Sequence, residues 1–478
     1  MIIKPWTSSI KIKSCVQKNK TMSEGKIIVG LDIGTTKIAC IVGRKGANGR
    51  IEILGYGKAA STGVSRGIVT NIDETVNAIK TAVDEAAAQS NVDIKSVDVG
   101  IAGQHIKSLQ HRGVLMRDNR DTEITEEELE KLRMDTFKIN MVPGEEIIDV
   151  IPQEYFVDGE IGTTPKGMLG SKLEANFHVI IGQTAAAMNI KKCIERAGLE
   201  MNHMILEPIA SAEAVLDEEE MEAGVALVDI GGGTTDIAIF YENKIYHSAV
   251  IPLGGNIITE DISKGCAIIR RYAEDVKVKF GSAVANENRD DELVSIPGIR
   301  GRASKEISFK NLANIIQARM EEIFEMVNYE IQKVNSQHTL IAGIVLTGGG
   351  SLMKHIQQLA SFKTGLDVRI GYPNEHLTDD TAKEMASPMY ATGIGLVIEG
   401  IARAEYQEKM EHRKHKDAPF AKPAIVETEI PEQHKEEEED NGRIRRHRPQ
   451  KDKGEKKHRF DITSIITKFF SEENEIKE

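Results

Sequence analysis

The chain has 478 residues, 40% of them hydrophobic, which is enough to bury a large core and long enough to divide into two or more domains. A formal net charge of −13 argues against a general nucleic-acid binder, which needs a basic face to meet phosphates. The cysteines Cys15, Cys40, Cys193 and Cys266 lie far apart with no Cys-x-x-Cys pair, which speaks against a disulfide framework or zinc knuckle and fits a reducing cytoplasm, and no apolar run reaches the ~18 residues of a membrane-spanning helix.

Residues 1–25 carry Lys4, Lys11, Lys13, Lys18 and Lys20 but lack the continuous apolar segment of a signal peptide, so they read as a disordered extension. Met22, directly before the first strand pattern, is a second candidate start. From residue 26 to 105 the pattern is strand-rich, then helical, then strand. Two apolar runs flank Asp32-Ile33-Gly34-Thr35-Thr36-Lys37 and predict a hairpin with its polar groups at the turn. Residues 51–56 alternate as a strand. Val76, Ile79, Ala82, Val83 and Ala86 recur at helical spacing over 73–89, with Asn71 as the N-cap, and 97–101 returns to strand.

The style changes over 106–184. A charged helix over 125–138 opens on a capping box from Thr125 to Glu128, and strand-like pieces follow at 147–155 and 175–181, which predicts a small inserted subdomain. Its carboxylates Glu126, Glu127, Glu128 and Glu130 read as a solvated helix face. Residues 185–223 return to the first half: a helix ends on Gly198 as a C-cap, and Leu206-Glu207-Pro208 opens another. The small residues Ala210, Ser211, Ala212 and Ala214 of that second helix predict very close packing on a neighbour. Glu207 at its start can simply meet the helix dipole.

The second half, 224–400, begins with Val225-Ala226-Leu227-Val228-Asp229-Ile230-Gly231-Gly232-Gly233-Thr234, again strand, turn and strand. Three glycines remove every Cβ from the turn, so backbone N–H groups can converge on an anion. A Walker loop is excluded, because no Gly-Lys-Ser/Thr ending or helix follows; an ordinary glycine-rich turn is the alternative. Asp229 ends its strand facing a metal ion or an attacking water. Two Asp-Ile-Gly hairpins roughly 200 residues apart suggest related halves that face each other across a shared ligand. Helices follow over 257–267, 270–280 and 309–334, and Glu274 and Lys277 in the second stand i, i+3 as a surface ion pair would. Thr347-Gly348-Gly349-Gly350-Ser351 then opens a helical pattern through Met353, Ile356 and Leu359, whose N-terminus suits the ribose and phosphate side of a nucleotide.

After residue 401 the chain turns into charge, acidic over 436–440 and basic over 443–459, and reads as a disordered linker up to 458. Ile462, Ile465, Ile466, Phe469 and Phe470 then recur at helical spacing, with Phe460 just ahead of them, within an amphipathic helix over 459–471. Its apolar segment would rise only about 16 Å, too short to cross a bilayer, so the helix either lies in a membrane surface or docks in a protein groove. The acidic tail after Ser471 weakens attraction to anionic lipid.

Asp32-Ile33-Gly34-Thr35-Thr36, Asp229-Ile230-Gly231-Gly232-Gly233-Thr234 and Thr347-Gly348-Gly349-Gly350, in this order, resemble the phosphate 1, phosphate 2 and adenosine motifs of the actin, Hsp70 and sugar-kinase superfamily. The insert, the string Val150-Ile151-Pro152-Gln153-Glu154-Tyr155 and the terminal helix narrow the resemblance to the FtsA family of bacterial cell-division proteins, over about 26–400 plus the last helix. The resemblance implies an α/β fold of the two-lobed actin-like ATPase type, built from duplicated ribonuclease H-like domains. Subdomain 1A would take 26–105 and 185–223, an SHS2-like 1C insert 106–184, 2A 224–257 and 338–400, and 2B 258–337.

It also implies ATP with Mg2+ between the halves. Asp32 and Asp229 would organise the metal through water, and Gly34, Thr35, Thr36, Gly231, Gly232, Gly233 and Thr234 would cradle phosphates. Lys37 would pair with phosphate or point into solvent from its strand. Glu274, Lys277, Gly348, Gly349 and Gly350 would meet adenine and ribose, and Glu207 with Asp229 would orient the attacking water of a slow ATPase that acts as a polymerisation switch. The implied partners are a second copy of the chain, anionic inner-membrane lipids, downstream divisome proteins and the C-terminal peptide of FtsZ. That peptide would dock on 2B, where Arg300 and Arg302 either bind its acidic groups or form a solvated loop. The implied location is the cytoplasmic face of the inner membrane at the division site. A pilus-assembly homologue acting as a peptide receptor is a rival reading; a metabolic kinase is another, without a substrate-binding signature in the insert.

Overall fold

The computed structural model describes residues 25–416 apart from 47, 163, 290, 299, 301, 336–338 and 379–382. The N-terminal extension, the linker beyond 416 and the terminal amphipathic helix lie outside the described residues.

The first lobe opens with β1 (Ile28–Ile33), β2 (Lys37–Lys45) and β3 (Ile51–Ala60), a small hairpin of β4 (Val64–Ser65) and β5 (Ile68–Val69), α1 (Ile72–Ser90) and β6 (Ser96–Ile101). Asn71 caps α1 by accepting from the Glu74 N–H, and the apolar stripe from Val76 to Ala86 is buried, as its spacing requires. The insert follows as β7 (Lys107–Met116), α2 (Glu126–Thr136), β8 (Glu145–Val157), β9 (Glu160–Ile161) and β10 (Lys172–Gln183), with sheet order β7-β10-β8-β9. The chain returns through α3 (Thr184–Ala197), β11 (Glu200–Leu206), α4 (Glu207–Val215) and α5 (Glu218–Ala223). Gly198 takes φ 87° at the end of α3, a left-handed position that suits glycine.

The second lobe contains β12 (Val225–Ile230), β13 (Thr235–Tyr241), β14 (Lys244–Ile251), α6 (Gly255–Gly265), α7 (Arg270–Phe280), β15 (Leu293–Ile296), β16 (Lys305–Ser308), α8 (Phe309–Asn335), β17 (Gly343–Thr347), α9 (Ile356–Thr364) and β18 (Val368–Ile370), and α10 (Ala391–Lys416) closes the described chain. The two main sheets repeat one plan. In each, an antiparallel meander (β1-β2-β3 or β12-β13-β14) is extended on the side of its first strand by two parallel strands, β6 and β11 or β17 and β18. Both first strands are buried along their whole length, which explains their continuous apolar character.

Three elements differ from the sequence expectation. β7 carries Lys107, Gln110, His111 and Arg112 and buries only Gly113 of its ten residues, so an edge strand of this kind has no apolar alternation to read. The third glycine cluster does not open a helix: Gly349–Leu352 is a single 3₁₀ turn, the backbone breaks at His355 with φ 61°, and α9 starts only at Ile356. α10 runs to Lys416, beyond the boundary expected at 400, because Ile401 and Ala404 are still buried and Arg403 bonds Glu399 one turn back and Asp149 of the insert. A charged stretch thus conceals a helix whose Arg403 is paired on two sides.

The insert is joined to the second lobe through β14. Ser108 Oγ donates to the Ser248 carbonyl at 3.1 Å, Gln110 Nε2 donates to the Tyr246 carbonyl at 3.2 Å, and buried His178 meets the Ser248 hydroxyl at 3.0 Å. Among the described residues no helix is long and apolar enough to cross a membrane.

Candidate functional site

The matching plans of the two sheets bring the two Asp-Ile-Gly turns together. A Cβ on Gly232 would lie 1.8 Å from Thr36 Oγ1, and one on Gly233 would lie 2.5 Å from Thr35 Oγ1, so the hairpin tips touch and only glycine admits the contact. Behind them is a cavity of about 480 Å³. Asp32, Gly34, Thr35, Thr36 and Lys37 line it from the first lobe; Asp229, Gly231, Gly232, Gly233, Thr234, Glu274 and Lys277 line it from the second. Glu207 and the loop Gly348-Gly349-Gly350 complete the predicted set on its wall. Because α9 starts at Ile356, the third loop presents a 3₁₀ turn and not a helix N-terminus to the cavity.

Carboxylates crowd the hairpin turns. The β12–β13 register sets Asp229 directly opposite Asp236. Burial pushes Asp229 up to about 6 although Ser211 (2.8 Å) and Thr392 (3.3 Å) donate to its Oδ2. Burial and then the neighbouring Asp229 push Asp236 up to about 8, against a hydrogen bond from Thr234 at 2.9 Å. Its second oxygen, Oδ1, is buried without a protein partner. Asp32 is raised by burial, with Lys37 opposing; Glu207, at the start of α4, is raised well above the usual range by burial first and then by Asp32, Asp236 and Asp229. Burial lowers Lys37, against the pull of Asp32 and Asp229.

Four desolvated carboxylates facing one lysine suit a divalent cation, which would relieve their mutual repulsion. Among the described residues no three acidic, histidine or cysteine side chains converge as direct metal ligands. The arrangement therefore fits a cation held through water and ligand oxygens, as Mg2+ commonly is.

The cavity wall also carries the apolar side chains Ile258, Val278, Met320, Leu352 and Met353, together with Glu274 and Lys277. Lys277 Nζ reaches Glu274 Oε2 at 2.8 Å, Thr259 Oγ1 at 2.8 Å and the Gly255 carbonyl at 2.9 Å, so the i, i+3 ion pair and the cavity wall are the same feature. Asp236 and the segment from Pro388 to Thr392 also belong to the wall and were missed by the sequence reading. A hairpin sum rule from the Gly231–Thr234 turn would have paired Asp236 with Asp229; the later segment carries no such local signal.

The remaining candidates lie elsewhere. Arg300 and Arg302 are exposed on the loop between β15 and β16, with Arg300 at φ 51°. In α2, Glu128 completes the capping box and pairs with Arg117, Glu130 pairs with Arg133 and Glu126 with Lys166, so these carboxylates hold the insert together.

Comparison with known proteins follows the same division. The family model described as "Cell division protein FtsA" matches residues 226–395, and "SHS2 domain inserted in FTSA" matches residues 103–181. The chain is 40% identical to the cell division protein FtsA of Pseudomonas aeruginosa, covering 80% of this chain and 91% of that protein. It is 35% identical to the FtsA of Escherichia coli K12 (79% and 91% covered) and 37% identical to that of Bacillus subtilis (79% and 84% covered). Among solved structures, the PilM-PilN type IV pilus biogenesis complex aligns with a TM-score of 0.57 at 16% identity, covering 78% of this chain and 98% of that one, a likeness of fold.

Proposed function

The chain belongs to the FtsA family of cell division proteins, and from that premise we propose that it binds Mg-ATP between its lobes, polymerises on the inner face of the cytoplasmic membrane and tethers FtsZ there. The observation that carries the nucleotide part is the meeting of three glycine loops around one cavity lined by both carboxylates and apolar side chains. Backbone N–H groups of the two hairpin turns and the Lys37 ammonium would hold phosphates, and Asp32, Asp229 and Asp236 would hold the waters of the metal. Mg2+ bound there supplies positive charge that offsets phosphate charge. Glu207, raised by burial and then by its acidic neighbours, is the group available to orient a water, and hydrolysis is expected to be slow because a polymerising switch requires a persistent bound state. The pilus reading is less favoured, since identity to FtsA proteins is 35–41% against 16% for the pilus complex.

The FtsZ contact is tested on the exposed loop of Arg300 and Arg302. Arg302→Glu is expected to weaken the C-terminal FtsZ peptide about tenfold in fluorescence anisotropy, through loss of a charge-assisted contact and added like-charge repulsion. Unchanged affinity would move the docking site elsewhere.

The membrane contact rests on residues 460–470, outside the described structure. Five large apolar side chains at ~1.5 to 3 kcal/mol each, reduced by the cost of ordering the helix, leave one copy weakly bound, so attachment should depend on several copies in a polymer. In sedimentation with anionic liposomes, polymerised protein should pellet, deletion of 460–470 should abolish pelleting, and added salt should weaken it. Polymer that ignores anionic liposomes would place this helix in a protein groove instead.

A further inference from the structure

The short segment from Pro388 to Thr392 touches all three glycine-bearing elements of the cleft. The Pro388 carbonyl accepts from the Gly348 N–H at 3.3 Å, Lys37 Nζ donates to the Met389 carbonyl, and Thr392 Oγ1 donates to Asp229 at 3.3 Å. Between them, Tyr390 is 1% exposed, with its ring centroid 4.0 Å from Lys37 Nζ. The ring is fixed from behind. Its hydroxyl donates to Glu384 Oε1 at 2.8 Å, Tyr56 donates to Glu384 Oε2 at 3.0 Å, Lys58 forms an ion pair with the same carboxylate, and the Tyr56 and Tyr390 rings meet edge to face at 6.5 Å.

We infer that Tyr390 is a positioning residue of the nucleotide site, whose neutral ring face, locked by Glu384, holds the Lys37 ammonium beside the hairpin turns, ready for the phosphates of a nucleoside triphosphate. This rests on the nucleotide reading proposed above. The physical need is clear from the surroundings. Asp32, Asp229 and Glu207 all attract Lys37, and an ammonium drawn onto them would neutralise itself and the carboxylates together. An aromatic face and a carbonyl attract the cation without a formal negative charge for phosphate to displace, so its positive charge stays available.

The test is a double-mutant cycle on the full chain, read as Mg-ATP affinity by calorimetry. Tyr390→Leu is expected to weaken binding about tenfold, and Tyr390→Phe, which keeps the ring face but loses its tie to Glu384, to weaken it no more than about threefold. In a Lys37→Met background Tyr390→Leu should have no further effect, which a merely structural tyrosine would not produce. Parent-like affinity in Tyr390→Leu, or independent losses in the double variant, would overturn the inference. A parent chain that binds no Mg-ATP would instead remove the nucleotide reading beneath it. Should Tyr390→Leu not fold, Glu384→Ala, with a side chain 41% exposed, serves in the same cycle. A loss of roughly threefold that vanishes with Lys37→Met is expected there, and unchanged affinity would again overturn the inference.

Discussion

Calorimetric titration of the Asp229→Ala chain with Mg-ATP is expected to show affinity reduced by about 100-fold or more, the upper range for losing a group that orients metal-bound water. Asp229 is the penultimate residue of β12, just before the hairpin turns into the cavity, and both of its oxygens are closely surrounded. Oδ2 accepts from Ser211 and Thr392, while Oδ1 lies so near the third glycine loop that a Cβ on Gly348 would come within 2.2 Å of it. The variant should still fold, because the Ser211 and Thr392 hydroxyls already lie 2.9 Å apart and can satisfy each other when the carboxylate is gone. Loss of binding therefore reports on the site and not on collapse of its frame. Asp229→Asn keeps the shape and removes the charge, so it should lose nearly as much if the carboxylate serves the cation. Affinity equal to that of the parent in Asp229→Ala would dismiss the nucleotide site as drawn here.

The second large effect is on stability. Gly395→Ala should lower the unfolding free energy by ~3 kcal/mol or more, read as a lower urea midpoint with an unchanged slope. A Cβ at position 395 would stand 1.7 Å from the carbonyl oxygen of Ala210 and 2.3 Å from its carbonyl carbon, which are backbone atoms with no rotamer to escape into. α4 has little room to retreat, since Ala210, Ala212 and Ala214 are buried and its far side packs on β12 and β13. The effect reaches the site as well: α4 carries Ser211 and Glu207, α10 carries Thr392, and separating the helices would part the two hydroxyls that hold Asp229. A destabilisation below ~1 kcal/mol would mean that the helices can slide past each other more freely than this packing implies.

Much of the architecture was legible before any coordinates. The two Asp-Ile-Gly turns, the capped helix behind Asn71, the Gly198 terminus and the small-residue helix after Pro208 each depend on neighbours in sequence, through a period of 2 or 3.6 residues or the conformational freedom of glycine. Those short-range rules also made the related halves visible, because each half repeats the same turn. The same rules failed for β7, a polar edge strand with nothing to alternate, and for the end of α10, where paired charges look like a linker until Arg403 is seen reaching Asp149.

Local sequence therefore supplies the inventory: which turns can receive an anion, which helices have an apolar face, and that two such sets exist in one chain. Which groups share one cavity is set by how the two lobes pack. Asp236 acquires its place from strand register, the Pro388 to Thr392 segment from a return of the chain to loops as far as 352 residues upstream, and Gly395 from contact with a helix whose small residues announce a close neighbour without saying which one. The reason is physical: periodicity and turn chemistry act between adjacent residues, whereas desolvation, like-charge crowding and steric exclusion depend on distance in space, and that distance exists only once the two lobes have folded and met.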